Sequence, residues 1–233
     1  VNAVSFGVDA GSIKAVIGPN GAGKTTLFNL ITGALKASAG QVQFKGSDIL
    51  GRKPHQIAAC GIARTFQNIK LFHDMTALEN VMVGRHLRSR AGFMAAMFNM
   101  PWTRREEQAI REKSLELLAL LEIEDYADVD ATRLAFGQQR AVEFARALAL
   151  EPELLLLDEP AAGLNIHETA EVGRLITRIR GLGITVLLVE HDMSLVMDIS
   201  DEIVVLSFGE KIAEGVPAAI QNNSEVIRVY LGD

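Results

Sequence analysis

Three observations predict an α/β fold built on a buried, mostly parallel sheet. Short apolar, β-branched runs recur along the chain, and most are followed by a helix-like stretch. The runs are apolar at every position rather than at alternate ones, as in L-L-L-L at 154–157 and T-V-L-L-V at 185–189. The chain has 233 residues, 48% of them hydrophobic, which is enough for a core without disulfide staples. A strand that is apolar on both faces must be covered on both, and helices flanking a parallel sheet provide that cover.

Taken in order, residues 1–8 (V-N-A-V-S-F-G-V) read as a strand, and a first residue of valine rather than methionine suggests that the chain continues upstream. Residues 13–17 form the next strand and 24–32 a helix, followed by a strand at 61–66. Residues 76–88 and 103–122 are helix-like with no strand between them, and the second has leucine on one side and dense charge on the other, a solvated face. This predicts a helical lobe, residues 72–148, inserted into a sheet core formed by 1–71 and 149–233 within one domain of 1–233. The apolar stretch 93–102 inside the lobe either packs it on itself or offers surface to a helix of a membrane partner. Strands at 154–157, 184–189 and 202–206 alternate with helices at 167–180 and 193–199 and complete the sheet domain.

Composition narrows the function classes. A net charge of −6, and no basic block longer than Arg104-Arg105, argue against a nucleic-acid partner. No apolar run approaches the roughly 20 residues that a membrane span requires. The single cysteine, Cys60, rules out an internal disulfide or a cysteine metal cage and fits a reducing compartment.

The stretch G-P-N-G-A-G-K-T-T at 18–26 fits G-x-x-x-x-G-K-[ST] after a predicted strand and at a predicted helix start, the context this phosphate-binding pattern needs. Glycines let successive backbone N–H groups turn inward, and the helix amino end adds partial positive charge. Asn20, Gly21, Ala22, Gly23, Lys24, Thr25 and Thr26 are therefore the candidate phosphate cradle, with Lys24 for charge and the Thr25 hydroxyl for magnesium. The run L-L-L-L-D-E-P at 154–160 supplies a second half: Asp158 closes a strand where it can hold the metal, and Glu159 can act on an attacking water as general base. Two adjacent acids at a strand end are otherwise an ordinary solvated turn; the cradle makes them a candidate site.

Five stretches in this order resemble the ATP-binding subunits of ABC transporters, over nearly the whole chain: the cradle, T-F-Q with Gln67, L-A-F-G-Q-Q-R at 134–140, L-L-L-L-D-E-P with A-A-G-L-N at 161–165, and V-E-H-D with His191. The resemblance implies a P-loop ATPase core with an antiparallel β edge and an inserted helical subdomain. It implies ATP and Mg2+ as cofactors, Glu159, His191 and Gln67 as catalytic residues, and Thr25, Gln67 and Asp158 around the metal. Ala135, Phe136, Gly137 and Gln138 would form the signature, acting on the nucleotide of a second ATPase subunit, identical or not. Gly163, Leu164 and Asn165 would form a loop at the dimer interface.

Within that family the wording A-R-T-F-Q-N-I-K-L-F-H-D-M-T-A-L-E-N-V, P-A-A-G-L-N and E-H-D-M-S-L-V-M is most similar to the ATPases of branched-chain amino acid importers, with the segment 89–105 resembling the first of their two ATPase types. Two membrane permease subunits and a solute-binding protein would then complete the assembly, with this chain peripheral on the cytoplasmic face of the inner membrane. An importer of urea or another amide, a non-transport ABC ATPase, and a nucleotide-binding module without turnover are the alternatives. Three departures bear on rate: Ala135 stands where the family has serine, Phe136 where it has glycine, and Asn165 where it has aspartate. The adenine-stacking aromatic of the family stands further from the cradle than Phe6 and is expected upstream of Val1.

Overall fold

The computed structural model describes residues 1–85 and 101–231. In chain order the described elements begin with β1 (Ile13–Ile17), α1 (Lys24–Ile31), β2 (Gln43–Phe44), β3 (Ser47–Asp48), α2 (Pro54–Ala59) and β4 (Ile62–Arg64). Helices α3 (Ala77–Arg85), α4 (Pro101–Leu120) and α5 (Phe136–Leu148) follow, then β5 (Leu154–Asp158), α6 (Ile166–Gly181) and β6 (Thr185–Val189). The chain closes with α7 (Met193–Ile199), β7 (Glu202–Ser207), β8 (Glu210–Gly215), α8 (Pro217–Gln221) and α9 (Ser224–Leu231). It divides into two compact units, Val1–Gln67 with Glu153–Asp233, and Asn68–Pro152.

The first unit is built on a six-stranded sheet in the order β4-β5-β6-β1-β7-β8. Every neighbouring pair is parallel except β7 with β8, which forms the expected antiparallel edge. β2 and β3 make a separate antiparallel hairpin. Side chains alternate between the faces of a strand. Val16, Leu156, Leu187, Val189, Val204 and Leu206 pack on one side with Leu27 and Phe28 of α1 and Ile57 of α2. Their neighbours Ala15, Leu155, Leu157, Val186, Leu188 and Val205 are also fully buried or nearly so, which explains why these strands read as unbroken apolar runs. Phe28 alone, with no exposed surface, contributes about 2 to 3 kcal/mol by leaving water.

Residues 1–8 do not form the expected strand. Val4, Phe6 and Val8 pack against the core from one side, so the alternation is real. Its backbone has no ladder: the segment is held by Asn2 N–H to the Gly209 carbonyl at 2.7 Å and by Lys14 Nζ and Lys211 Nζ on the carbonyls of Gly7 and Ser5, at 2.5 and 2.6 Å. Lys14, buried in β1, also reaches Glu202 and Glu214 at 2.7 Å each, tying β1 to β7 and β8. The expected strand at 61–66 is shorter, ending at Arg64.

In the second unit α3 packs on α4 and α5. Gly84 is required there, because a Cβ would sit 2.2 Å from the Arg146 carbonyl of α5. Buried Asn80 organises the approach to α3 by accepting from Phe72 N–H at 2.8 Å and donating to the Thr76 carbonyl at 3.0 Å. A buried ion pair, Arg140 with Glu143 at 2.7 Å, lies along α5. The apolar stretch 93–102, most of the segment 89–105 and the end of the helix expected to reach 88 lie outside the described residues or their described side chains.

Candidate functional site

The carboxyl ends of β1, β5, β6 and β4 come together in the first unit, the edge where open parallel sheets bind ligands. At the end of β1 the chain turns so tightly at Gly18 that a Cβ would lie 2.1 Å from the Leu206 carbonyl, so only glycine fits. Gly23 then takes a left-handed conformation, φ 103°, as the N-cap of α1, with no side chain capping the helix. Its first-turn N–H groups are thereby left to a ligand, in a turn that carries no acidic residue. Asn20, Gly21 and Thr25 are exposed on this loop, Gly23 and Thr26 half-buried, and Ala22 buried.

Lys24 is buried and folds back over the loop, donating to the Gly18 carbonyl at 2.7 Å and the Pro19 carbonyl at 3.2 Å. Burial holds its pKa below the ordinary lysine value, while the nearby carboxylates Glu159, Asp158 and Glu190 act in the opposite direction.

At the end of β5, Asp158 is buried and Glu159 is half-buried. Glu159 has φ 48°, the left-handed region that a glutamate enters only with strain, and its N–H bonds the Val189 carbonyl of β6 at 2.8 Å. Gln67 Nε2 donates to Glu159 Oε2 at 2.7 Å. His191, exposed, places Nδ1 3.7 Å from the same oxygen. Gln67, Glu159 and His191 are thus assembled around one carboxylate oxygen, although 124 positions separate the outer two in the sequence (191 − 67).

The loop at 161–165 belongs to the same edge. Fully buried Glu190 accepts from Ala161 N–H at 2.8 Å through Oε1, and from His191 and Asp192 N–H at 2.8 and 3.1 Å through Oε2. Asn165 is the N-cap of α6: its Oδ1 accepts from His167 and Glu168 N–H at 2.9 and 3.1 Å, while its own N–H donates to Glu168 at 2.9 Å. An amide performs this role as well as a carboxylate, so the exchange of aspartate for asparagine leaves the helix start intact. Gly163 is exposed and Leu164 half-buried beside it.

In the second unit, α5 begins at Phe136. Ala135 is therefore its N-cap and offers no oxygen, while Gln138 Oε1 reaches back to accept from Ala135 N–H at 3.1 Å. Phe136 is exposed at 43% and lies 5.9 Å from the Arg140 guanidinium carbon; Gly137 and Gln138 are half-buried.

Two residues of the first unit's edge were missed by sequence reasoning. Arg64, closing β4, pairs with Asp158 Oδ2 at 2.7 Å with side chains only 10% and 5% exposed. Glu190 joins the loops on either side of it. Their one signal was a charged residue inside an otherwise apolar run, I-A-R-T-F and L-L-V-E. Tyr230 of α9 is a third feature near the cradle: burial pushes its phenol up to about 12, against a hydrogen bond from the Gly18 backbone that works the other way.

The chain was compared with known protein families, curated proteins and solved structures. Residues 1–162 match the family model described as ABC transporter, and 210–233 match the model described as branched-chain amino acid ATP-binding cassette transporter. The high-affinity branched-chain amino acid transport ATP-binding protein BraF of Pseudomonas aeruginosa is 44% identical over 100% of this chain and 92% of its own length. The protein LivG of the same description from Escherichia coli is 42% identical with the same coverage. Among solved structures, the ADP conformation of an ATP-binding cassette of an ABC transporter superposes with a TM-score of 0.85 at 34% identity, covering 99% of this chain and 91% of that one. A dimeric post-hydrolysis cassette bound to ADP and Pi gives 0.75 at 26% identity, covering 91% and 88%.

Proposed function

The chain belongs to the ABC transporter ATP-binding family, and from that membership we propose that it is the ATP-hydrolysing subunit of an importer of branched-chain amino acids. One observation carries the catalytic part: Glu159, at a strand end beside an uncapped helix terminus and Lys24, is held between Gln67 and His191.

In this reading the triphosphate lies against the N–H groups of residues 20–26, and Lys24 leaves its carbonyl partners for the phosphate oxygens. Glu159 takes a proton from water as the water oxygen bonds the terminal phosphorus and the bond to the departing diphosphate breaks. Gln67 aims the carboxylate, and His191 orients the terminal phosphate or the water. Thr25, Asp158 and Gln67 offer oxygen donors only, the chemistry that suits Mg2+ with several of its waters retained. When bound, the ion neutralises phosphate charge as it develops.

Ala135, Phe136, Gly137 and Gln138 at the start of α5 serve the nucleotide of a second ATPase subunit, with residues 163–165 at the shared interface. The dimeric cassette among the similar structures supports pairing with a second subunit. We further propose residues 72–148 as the signature-bearing subdomain. Among the described residues no helix is long and apolar enough to cross a membrane. In this reading two permease subunits and a solute-binding protein supply the passage and the selectivity, and the chain works from the cytoplasmic face.

The test is ATP turnover and uptake in a complex reconstituted with its membrane subunits. Labelled leucine taken up in step with ATP hydrolysis supports the proposal. Coupled uptake of urea instead, or turnover without any transport, overturns the assignment of solute.

A further inference from the structure

We propose that Arg64 is a positioning residue that locks the Asp158 carboxylate to the phosphate-binding helix α1, and so sets how strongly a divalent cation supports nucleotide binding; this rests on the nucleotide reading above. Arg64 Nη2 donates to Asp158 Oδ2 at 2.7 Å, while Nη1 donates to Asn29 Oδ1 at 2.7 Å and Thr32 Oγ1 at 3.1 Å, both on or next to α1. One planar group thus joins the end of β5 to the helix whose first turn forms the cradle. The guanidinium carbon lies 5.5 Å from the Phe28 ring and 5.3 Å from the Phe66 ring, so aromatic packing fixes its plane.

A counter-ion needed only to neutralise Asp158 would not require this geometry. Among the described residues Arg64 Nε is buried without a hydrogen-bond partner, so what places the guanidinium is the set bound by Nη1 and Nη2. What the placement does satisfy is Asp158 on one side and α1 on the other. The ion pair engages Oδ2 and leaves Oδ1 outside it. A carboxylate fixed through one oxygen presents the other without having to find a rotamer when the cation arrives, which is how a supporting shell tunes a metal ligand. The strand that carries Arg64 leads within three residues to Gln67, whose amide grips Glu159, so β4 supports both acids of the pair.

The test measures binding rather than turnover. A fluorescent ATP analogue is titrated against the parent protein, Arg64→Gln, Arg64→Lys and Asn29→Ala, each in EDTA and over a range of Mg2+. For Arg64→Gln we expect metal-free affinity within about twofold of the parent and a rise of about tenfold in the Mg2+ concentration giving half the full enhancement. Arg64→Lys, with the charge but not the fork, should recover only part of it. Asn29→Ala removes a partner of Arg64 without touching Asp158 and should shift the Mg2+ requirement in the same direction by less. It also serves if Arg64→Gln does not fold. Parallel weakening with and without Mg2+, or no change in either, overturns the proposal. A parent protein that fails to bind the analogue at all overturns the nucleotide reading instead.

Discussion

Gln67 and Glu159 are joined by a hydrogen bond of 2.7 Å from amide nitrogen to carboxylate oxygen, so the candidate base is oriented by a group from the loop after β4 before any ligand arrives. In Glu159→Gln the amide oxygen can accept the same bond, so the site keeps its shape and loses only its basicity. We expect nucleotide binding to persist and ATP turnover to fall by about 100-fold or more, the usual scale for a general base. A phosphate-release assay beside a binding titration checks this, and an unchanged rate removes Glu159 from the mechanism.

Lys24 donates to the Gly18 and Pro19 carbonyls, and burial depresses its pKa. Charged hydrogen bonds contribute about 1.5 to 3 kcal/mol, so Lys24→Ala should weaken ATP binding roughly 10- to 150-fold. Calorimetric titration gives the value directly. Undiminished binding would place the phosphates elsewhere.

Helix α5 starts on Ala135, which cannot cap it, although Gln138 already reaches back to its N–H. Ala135→Ser supplies the missing acceptor and should stabilise the protein by about 1 kcal/mol, seen as a melting-temperature rise of about 2 to 4 °C. If the hydroxyl also meets the nucleotide of a second subunit, turnover rises as well. Scanning calorimetry and a rate assay on one preparation separate the two effects.

Glu214 lies between Lys14 and Lys211, at 2.7 and 2.6 Å. Burial alone would raise its pKa, but the hydrogen bonds to the two lysines outweigh it and hold the carboxyl below the ordinary 4.5. A depressed carboxyl stabilises the fold fully above that ordinary value and loses the contribution as pH falls through the folded value. Glu214→Gln should therefore lower the melting temperature near pH 7, with the gap to the parent closing below about pH 4.5. A gap that stays constant across that range refutes the linkage.

Legibility in the sequence followed burial. Strands β1, β5, β6 and β7 were readable because each is apolar on both faces, and the cradle because glycine spacing and Lys24 are local. The segment 1–8 misled because burying Val4, Phe6 and Val8 on one face produces a strand's alternation without a strand's ladder. Arg64 and Glu190 were invisible for a different reason: what gives each its role is a partner far along the chain, Asp158 and Ala161 respectively.

The left-handed backbone of Glu159, φ 48°, sets durability against speed at a single position. Glycine there would relieve about 1 to 2 kcal/mol of conformational tension and, with the proposed base removed, is expected to make a protein harder to melt but idle. Screens that select only for heat resistance would drift toward that dead end, so any attempt to harden this molecule should leave residue 159 out of its library.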